Sequence, residues 1–258
     1  MIRFRDPNEP DGLSRLINRQ IDQALIAEHA ERPPRDYLGA SVLGDPCARR
    51  LAYRYAGYEE EGLDGRRLRI FEAGHVFEDL MAHWLWLAGF KLQRVDPSTG
   101  EQWEFTAGGG RVRGHADGII LDGPELDVIG YPLLWEAKSL NTTSWAELAR
   151  RGIKAATPLY HAQTQIYLSQ FELEAALFTA INKDTCALYH ALVPVEPGVG
   201  WRLVKRGVTI AEMVDRDRLP LRIADQQECR GCGWEQPCHG PIARNSPYQQ
   251  NKSTKIAS

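Results

Sequence analysis

The sequence predicts a mixed α/β fold in which helices flank a central mixed sheet. Apolar residues recur near the helical period over residues 12–31 and 69–90, and strand-like patterns replace this period over 101–121 and 131–140. Helical and strand patterns then alternate as far as residue 217. A chain that mixes the two periods in this order is expected to pack its helices against one sheet.

The first elements are helices. The helix over 12–31 ends before Pro33 and Pro34, which cannot continue it. A second helical stretch begins near Ser41, and the charged residues 59–67 are predicted to form a loop. The next helix covers 69–90, and its predicted buried face contains Phe71, Val76, Leu80, Trp84 and Leu87.

The later elements build the sheet. Residues 101–121 read as a β-hairpin whose turn is the three glycines 108–110, and residues 131–140 read as a buried strand because they are mostly apolar. The remaining patterns predict helices over 144–153, 158–171 and 200–217 and strands over 174–182 and 185–195.

Composition narrows the class of protein. The 258 residues suffice for one large domain, and 43% hydrophobic content with a net charge of -3 excludes wholesale disorder and a fibrous fold. No apolar run approaches the roughly 20 residues that span a bilayer, and the amino terminus lacks the apolar segment of an export signal. We therefore expect a cytoplasmic protein with no membrane partner. The mild acidity argues against a nucleic-acid binder that relies on charge alone.

Three residues in two short segments form a candidate catalytic group. Asp117 lies on the second arm of the predicted hairpin, and Glu136 and Lys138 lie two positions apart on the predicted buried strand. Residues i and i+2 of a strand point to the same face. Because burial of such charges is unfavourable unless they pair or bind a metal, Asp117 and Glu136 are candidate ligands of Mg²⁺ or Mn²⁺. Lys138 is a candidate to position or deprotonate water. A structural Glu–Lys pair is the alternative.

Four motifs in order resemble the PD-(D/E)XK nuclease superfamily, in particular its RecB-like branch. The helix over 69–90 contains a G-x-x-x-E motif from Gly74 to Glu78, and the hairpin and the strand add the aspartate and the E-x-K motif. The following helix contains Q-x-x-x-Y, from Gln163 to Tyr167. The resemblance covers residues 74–167 and implies a restriction-endonuclease-like core.

The resemblance also implies roles for these residues. Lys138 would be the catalytic lysine, and Gln163 and Tyr167 would position DNA or the active-site loop. The metal ligands would be Glu78, Asp117, Glu136 and the backbone carbonyl of Ala137. Whether His75, next to Gly74, assists Glu78 stays open.

Three of the five cysteines, Cys229, Cys232 and Cys238, form a C-x2-C-x5-C motif. Three thiolates leave a four-coordinate metal site one ligand short, and Cys47 and Cys186 are the candidates to complete it. Cys186 lies among apolar residues of a predicted strand, where we expect a buried free thiol.

The surroundings of Cys47, between Pro46 and two arginines, resemble the upstream cysteine of iron–sulfur RecB-like nucleases. These include the CRISPR-associated exonuclease family and the AddB nuclease domain. The resemblance implies a [4Fe–4S] cluster that joins the two ends of the chain through Cys47, Cys229, Cys232 and Cys238. Zn²⁺ is the alternative because it also accepts four thiolates.

The cysteines and motifs divide the chain into four expected segments. These are an N-terminal helical segment with the first cluster cysteine, a nuclease core, a C-terminal cysteine segment and a disordered tail, over residues 1–68, 69–220, 221–243 and 244–258. A nuclease also needs cations for DNA phosphates. Candidate DNA-binding residues are Arg49, Arg50, Arg54, Arg150 and Arg151, with a solvated charged face as the alternative for each.

The predicted function is that of a metal-dependent DNA exonuclease. It would hydrolyse phosphodiester bonds from DNA ends and prefer single strands, in bacterial or phage-encoded recombination, repair or CRISPR-related processing. A helicase, a recombinase or a CRISPR adaptation protein is the expected kind of partner. The alternatives are an endonuclease or end-processing factor, a non-catalytic DNA-end-binding protein, and a zinc-stapled binding module.

Overall fold

Eight strands form two mixed sheets in the computed structural model, which describes residues 12–33, 35–58, 64–126, 130–223 and 226–239. The predicted tail over 244–258 lies outside the described residues. The strands are β1 (Leu38–Gly39), β2 (Leu92–Gln93), β3 (Glu104–Ala107), β4 (Val112–His115), β5 (Gly118–Ile120), β6 (Leu133–Leu140), β7 (Ala175–Asn182) and β8 (Leu188–Pro194). The helices are α1 (Gly12–Glu31), α2 (Ala48–Tyr55), α3 (Gly65–Leu87), α4 (Thr142–Ala156), α5 (Pro158–Gln170), α6 (Val199–Asp215) and α7 (Glu235–His239).

The larger sheet has the strand order β2-β5-β6-β7-β8, with β6 parallel to β7 and the other pairs antiparallel. The smaller sheet has the order β1-β4-β3, with β1 parallel to β4. The predicted mixed α/β class is confirmed, but the strands divide into two sheets. The division occurs because the second arm of the predicted hairpin breaks at Ala116 and Asp117, between β4 and β5.

The central strand β6 is buried on both faces. Leu133 and Trp135 pack with the residues of α3, whereas Leu134 and Leu140 join the core under α4, α5 and α6. This alternation follows from the period of two in a strand. The long apolar run that predicted β6 therefore reflects burial on both sides.

Helix α3 begins earlier than predicted and buries a different face. Its N-cap is Asp64, whose side chain accepts a hydrogen bond from the backbone of Arg67, so the predicted loop over 59–67 already contains the first helical turn. Phe71 is exposed, and so are Val76, Leu80 and Leu87, whereas Leu68, Met81, Ala82 and Leu85 are buried. Helix α3 packs against α1 as well as against β6 and β2, and these contacts leave the four predicted residues exposed.

Helices α5 and α6 pack closely because small residues lie between them. A Cβ atom added at Gly200 would collide with the backbone oxygen of Gln165 and with the side chain of Ser169. One added at Gly207 would lie 2.5 Å from a methyl carbon of Leu43. The missing side chain at Gly200 thus lets α6 pack directly against α5, the helix that contains the Q-x-x-x-Y motif.

The prediction of a buried Cys186 was wrong. Cys186 is exposed and lies in the turn between β7 and β8, with a backbone φ of 59°. Its amide donates to the carbonyl of Asn182 at 2.7 Å, so the chain has already turned before β8 begins. Among the described residues, no helix is long and apolar enough to cross a bilayer.

Candidate active site

The aspartate at the break between the two sheets is fixed to the central strand. Asp117 follows β4, and its Oδ2 atom accepts a hydrogen bond from the backbone amide of Ala137 at 2.8 Å. The bond lies one residue from Glu136 and one from Lys138. The junction of the two sheets thus brings the two sequence segments of the candidate catalytic group together.

Lys138 occupies the centre of this group. Its Nζ atom pairs with Oε1 of Glu136, donates to the carbonyl oxygen of Ala137 at 3.0 Å and lies 4.0 Å from Oδ2 of Asp117. It also lies 5.5 Å from the centre of the Tyr160 ring. The predicted shared face of Glu136 and Lys138 is confirmed. An ammonium group therefore stands where a carboxylate, a second carboxylate and a backbone carbonyl converge.

Glu136 is fully buried, and only one of its two oxygens has a partner. Its Oε2 atom makes no hydrogen bond to any part of the described chain. Burial raises the pKa of Glu136 to about 8, against the attraction of Lys138. Burial opposes the charge of Lys138, but Glu136 and Asp117 outweigh it and raise the pKa of the amine. A buried, unpartnered carboxylate oxygen is costly and is suited to a cation.

Glu78 lies on α3 and is held by an arginine that the sequence did not indicate. Arg94 donates to Oε1 of Glu78 and to Oδ1 of Asp79, each at 2.6 Å. Burial and the neighbouring Asp117 raise the pKa of Glu78, while Arg94 opposes this rise. His75 is 83% exposed, and its Nδ1 atom lies 3.9 Å from Oε2 of Glu78, too far for a hydrogen bond.

The Q-x-x-x-Y residues hold the backbone that leads to Asp117. Tyr167 donates to the carbonyl of His115 at 2.7 Å and accepts from Gln163 at 3.4 Å. A Cβ atom added at Gly114 would lie 2.7 Å from the Tyr167 ring, so glycine permits the contact between α5 and β4. Burial, reinforced by Glu136, raises the pKa of Tyr167, which keeps it a neutral donor. Both residues thus fix the backbone two positions before Asp117.

A cleft of about 870 Å³ opens over these residues. Glu78, Asp117, Gln163 and Tyr167 line one part of it, and its other lining residues include Arg35, Tyr37, Arg94, Arg113 and His115. Sequence reasoning missed the four cationic or aromatic residues Arg35, Tyr37, Arg94 and Arg113. The available signal was the alternation along β4, which places Arg113 two positions before His115 and on the same side of the strand.

The proposed cluster cysteines also meet in space. Cys47, Cys229, Cys232 and Cys238 line a small cavity of about 20 Å³, together with Arg50 and Trp234. Burial raises the pKa of the Cys229 thiol, and the other three cysteines raise it further. The exposed Cys186 lies elsewhere, in the β7–β8 turn.

Arg50 and its neighbours on α2 lie beside the cysteines. Arg50 pairs with Asp45 and with Glu228, Arg49 lines the cysteine cavity, and Arg54 stacks over Trp234 at 4.7 Å. Arg150 and Arg151 lie on α4, where both pair with Glu147. The five predicted DNA-binding arginines therefore occupy two regions away from the cleft over Asp117.

In its present arrangement, the described part of the chain contains no group of three or more His, Cys, Asp or Glu side chains that could hold a metal ion. At the carboxylates a physical reason is visible, because Lys138 stands among their oxygens and Arg94 holds Glu78. Metal binding would require these two cations to move aside.

Comparison with known proteins shows the fold. The crystal structure of SSO0001 matches at a TM-score of 0.50 and 20% identity, over 87% of this chain and 96% of that one. An alkaline exonuclease (LHK-Exo) from Laribacter hongkongensis matches at a TM-score of 0.48 and 16% identity, over 70% and 89% of the two chains. Its complex with dAMP gives 0.46 and 15% over the same shares. No family model and no curated protein matches the sequence.

Proposed function

We propose that this protein is a metal-dependent DNA exonuclease that hydrolyses phosphodiester bonds from DNA ends and prefers single strands. One observation carries the proposal: Lys138, Glu136 and Asp117 converge where the two sheets meet, next to a large open cleft. Buried charges are unfavourable for folding, and a structural role would not require them to border a cleft.

The residues at this place fit a hard divalent cation. Glu136 has one carboxylate oxygen without a partner, and the carboxylate of Asp117 and the carbonyl of Ala137 lie next to it. Oxygen ligands of this kind suit Mg²⁺ or Mn²⁺. A bound divalent ion would supply Lewis acidity toward a phosphate oxygen and would lower the pKa of bound water. Glu78 would complete the ligand set once Arg94 releases it.

Lys138 is the residue that we assign to the reaction itself. Its ammonium group is held by carboxylates on one side and lies near the Tyr160 ring on the other. Its Nζ atom lies 4.0 Å from Asp117, which lines the cleft, so the amine would lie close to a substrate bound there. It can orient the attacking water and neutralise charge that develops on the phosphate.

The cleft suits a strand of nucleic acid more than a small molecule. Its volume of about 870 Å³ lies near the upper end for small-ligand pockets, and Arg35 and Arg113 on its wall can meet phosphates. Glu78, Asp79 and Asp117 line the same cleft. The net charge of -3 is therefore no guide to the local charge that a substrate would meet.

For the four cysteines we propose a metal centre that joins the chain ends, a [4Fe–4S] cluster with Zn²⁺ as the alternative. The support is the shared cavity and the donor set, since soft thiolates suit both metals. Because the pKa of the Cys229 thiol is raised, a metal would have to displace its proton to bind there. Anaerobic purification with iron and zinc analysis tests this proposal, and protein that retains neither metal would contradict it.

The test of the nuclease is direct. Purified protein with Mn²⁺ or Mg²⁺ should shorten end-labelled linear single-stranded DNA, and Glu136→Ala should abolish this while the protein stays folded by circular dichroism. Linear DNA left intact by the wild-type protein under both metals would refute the proposal. Circular single-stranded DNA separates the alternatives, because only an endonuclease opens a circle.

A further inference from the structure

Two of the arginines that line the cleft have no acidic partner among the described residues. Arg35 and Arg113 both line the cleft, and in the described residues neither pairs with a carboxylate. The Nε atom of Arg113 is buried and has no hydrogen-bond acceptor in the same residues. Arg94 differs, because Glu78 and Asp79 already occupy it.

The fold directs Arg113 into the cleft. Val112 and Gly114 of β4 are buried, so the alternate residues Arg113 and His115 emerge on the opposite face. The Nε2 atom of His115 lies 2.7 Å from Oε2 of Glu104 on the neighbouring strand. Arg113 is thus the cation of β4 that has no acidic partner in the described structure.

Tyr37 holds the guanidinium of Arg113 in place. The ring lies under Arg113 with its centre 5.1 Å from the guanidinium carbon, just before β1. In the ladder between β1 and β4, Gly39 pairs with Arg113, and a Cβ added at Gly39 would lie 4.0 Å from Nη1 of Arg35. The guanidinium of Arg35 therefore lies near Gly39 of β1, and Arg113 lies on the strand that pairs with β1. Close like charges repel, and an anion between them relieves this repulsion.

We propose that Arg35 and Arg113, oriented by Tyr37, bind a phosphate of the substrate strand near the one that is cleaved. The inference rests on the proposed nuclease function and adds the part of the substrate, a phosphate, that these two arginines would bind. Planar guanidinium forks match phosphate oxygens in two-bond geometry. A phosphate contact fixes the position of a strand without reading its bases, so this site acts equally on all sequences.

The test measures binding of fluorescently labelled single-stranded DNA by anisotropy, in the Lys138→Met background so that no cleavage occurs. Arg113→Gln and Arg35→Gln should each weaken binding about tenfold and reduce the salt dependence by about one ion per contact. Arg202→Gln, an exposed arginine of α6 outside the cleft, is the matched control and should bind as the parent does. Thermal unfolding checks that each variant is folded.

Unchanged affinity and salt dependence in both Arg113→Gln and Arg35→Gln would overturn the inference. Failure of the wild-type protein to cleave DNA would instead overturn the proposed function, and the binding comparison would still be decisive for the arginines. Three substrates identify which phosphate the arginines bind: a strand with a 5′-phosphate, a strand with a 5′-hydroxyl, and a circular strand with no ends. A loss confined to the 5′-phosphorylated strand indicates a terminal phosphate, and an equal loss on all three indicates an internal one.

Discussion

At the scale of single residues, the central feature is an amine that stands where oxygen ligands converge. Lys138 contacts Glu136 and the carbonyl of Ala137 and lies 4.0 Å from Asp117. The same oxygens are the ones that we assign to a divalent cation. A cation bound as we propose would therefore compete with the lysine for these oxygens.

This competition predicts the behaviour of Lys138→Met. Removal of the charge frees the oxygens, so Mn²⁺ should bind at least as tightly as to the wild type, whereas hydrolysis should fall by at least about 100-fold. Calorimetric titration with Mn²⁺ provides the measurement, with Lys91→Met at an exposed lysine as the control. Clearly weaker metal binding in Lys138→Met would show that the amine supports the metal site instead of competing for it.

Glu136 predicts a dependence of stability on pH in metal-free buffer. Its pKa is raised from 4.5 to about 8, so between these values the folded state holds a proton that the unfolded state has lost. Stability should therefore fall as pH rises through this window, by at most about 1.4 kcal/mol per pH unit. Lys138 adds no slope there, because its amine is protonated in both states.

Glu136→Gln removes this slope while it keeps the shape of the side chain. Urea unfolding at several pH values in the presence of a chelator compares it with the wild type. The variant should gain stability relative to the wild type from pH 4.5 towards pH 8. Parallel curves for the two proteins would mean that Glu136 titrates normally in the fold.

Sequence reasoning reached these residues because their chemistry is local in the chain. The spacing of Glu136 and Lys138 defines a shared strand face whatever the rest of the fold does. Arg94 and Arg35 were not predicted because no motif lies next to them in the sequence. Their importance comes from contacts with residues 16 positions away or from a cleft formed by both sheets.

At the scale of elements, the closeness of α5 and α6 depends on Gly200. Gly200→Ala places a methyl group against the backbone of Gln165, which cannot move without shifting α5 and its Tyr167. We expect a loss of about 1–3 kcal/mol in the free energy of unfolding. Gly130→Ala is the control, because a Cβ there meets nothing within 4 Å. Equal stability of the two variants in urea unfolding would contradict the close packing.

The helices also show where sequence patterns mislead. The periodic apolar residues of α1 and α3 correctly predicted helices, but Leu13, Leu16, Phe71 and Val76 are exposed. Periodicity identifies the helix, whereas the buried stripe depends on which part of the helix meets the sheet. The split of the predicted hairpin arm at Asp117 likewise needed the second sheet, which a local pattern does not reveal.

At the scale of the whole molecule, an early and a late segment of the described chain meet at the cysteine cavity. Cys47 precedes α2, the other three cysteines of the cavity follow α6, and Arg206 of α6 donates to the backbone carbonyls of Leu43, Asp45 and Pro46. From the sequence, the proximity of Cys47 to the other three cysteines was expected only because of the resemblance to iron–sulfur RecB-like nucleases. The structure adds a contact within the protein, from Arg206 to the loop that precedes Cys47.

Arg206 therefore predicts a link between α6 and metal retention. Arg206→Met leaves three carbonyls of this loop without their donor, which should cost about 1–3 kcal/mol of stability. It should also lower the metal content of the purified protein, measured by elemental analysis. Arg202→Met, one helical turn earlier, should change neither value. Full metal retention by Arg206→Met would contradict the prediction that this loop supports the proposed metal centre.

The most direct measurement of the central claim is hydrolysis of linear, end-labelled single-stranded DNA by the full chain with Mn²⁺, resolved on a denaturing gel. Progressive shortening by the wild type, loss of shortening with a chelator, and an intact strand with folded Lys138→Met are the predicted results. An intact strand with the wild type, or shortening that survives in Lys138→Met, would contradict the assignment of this site.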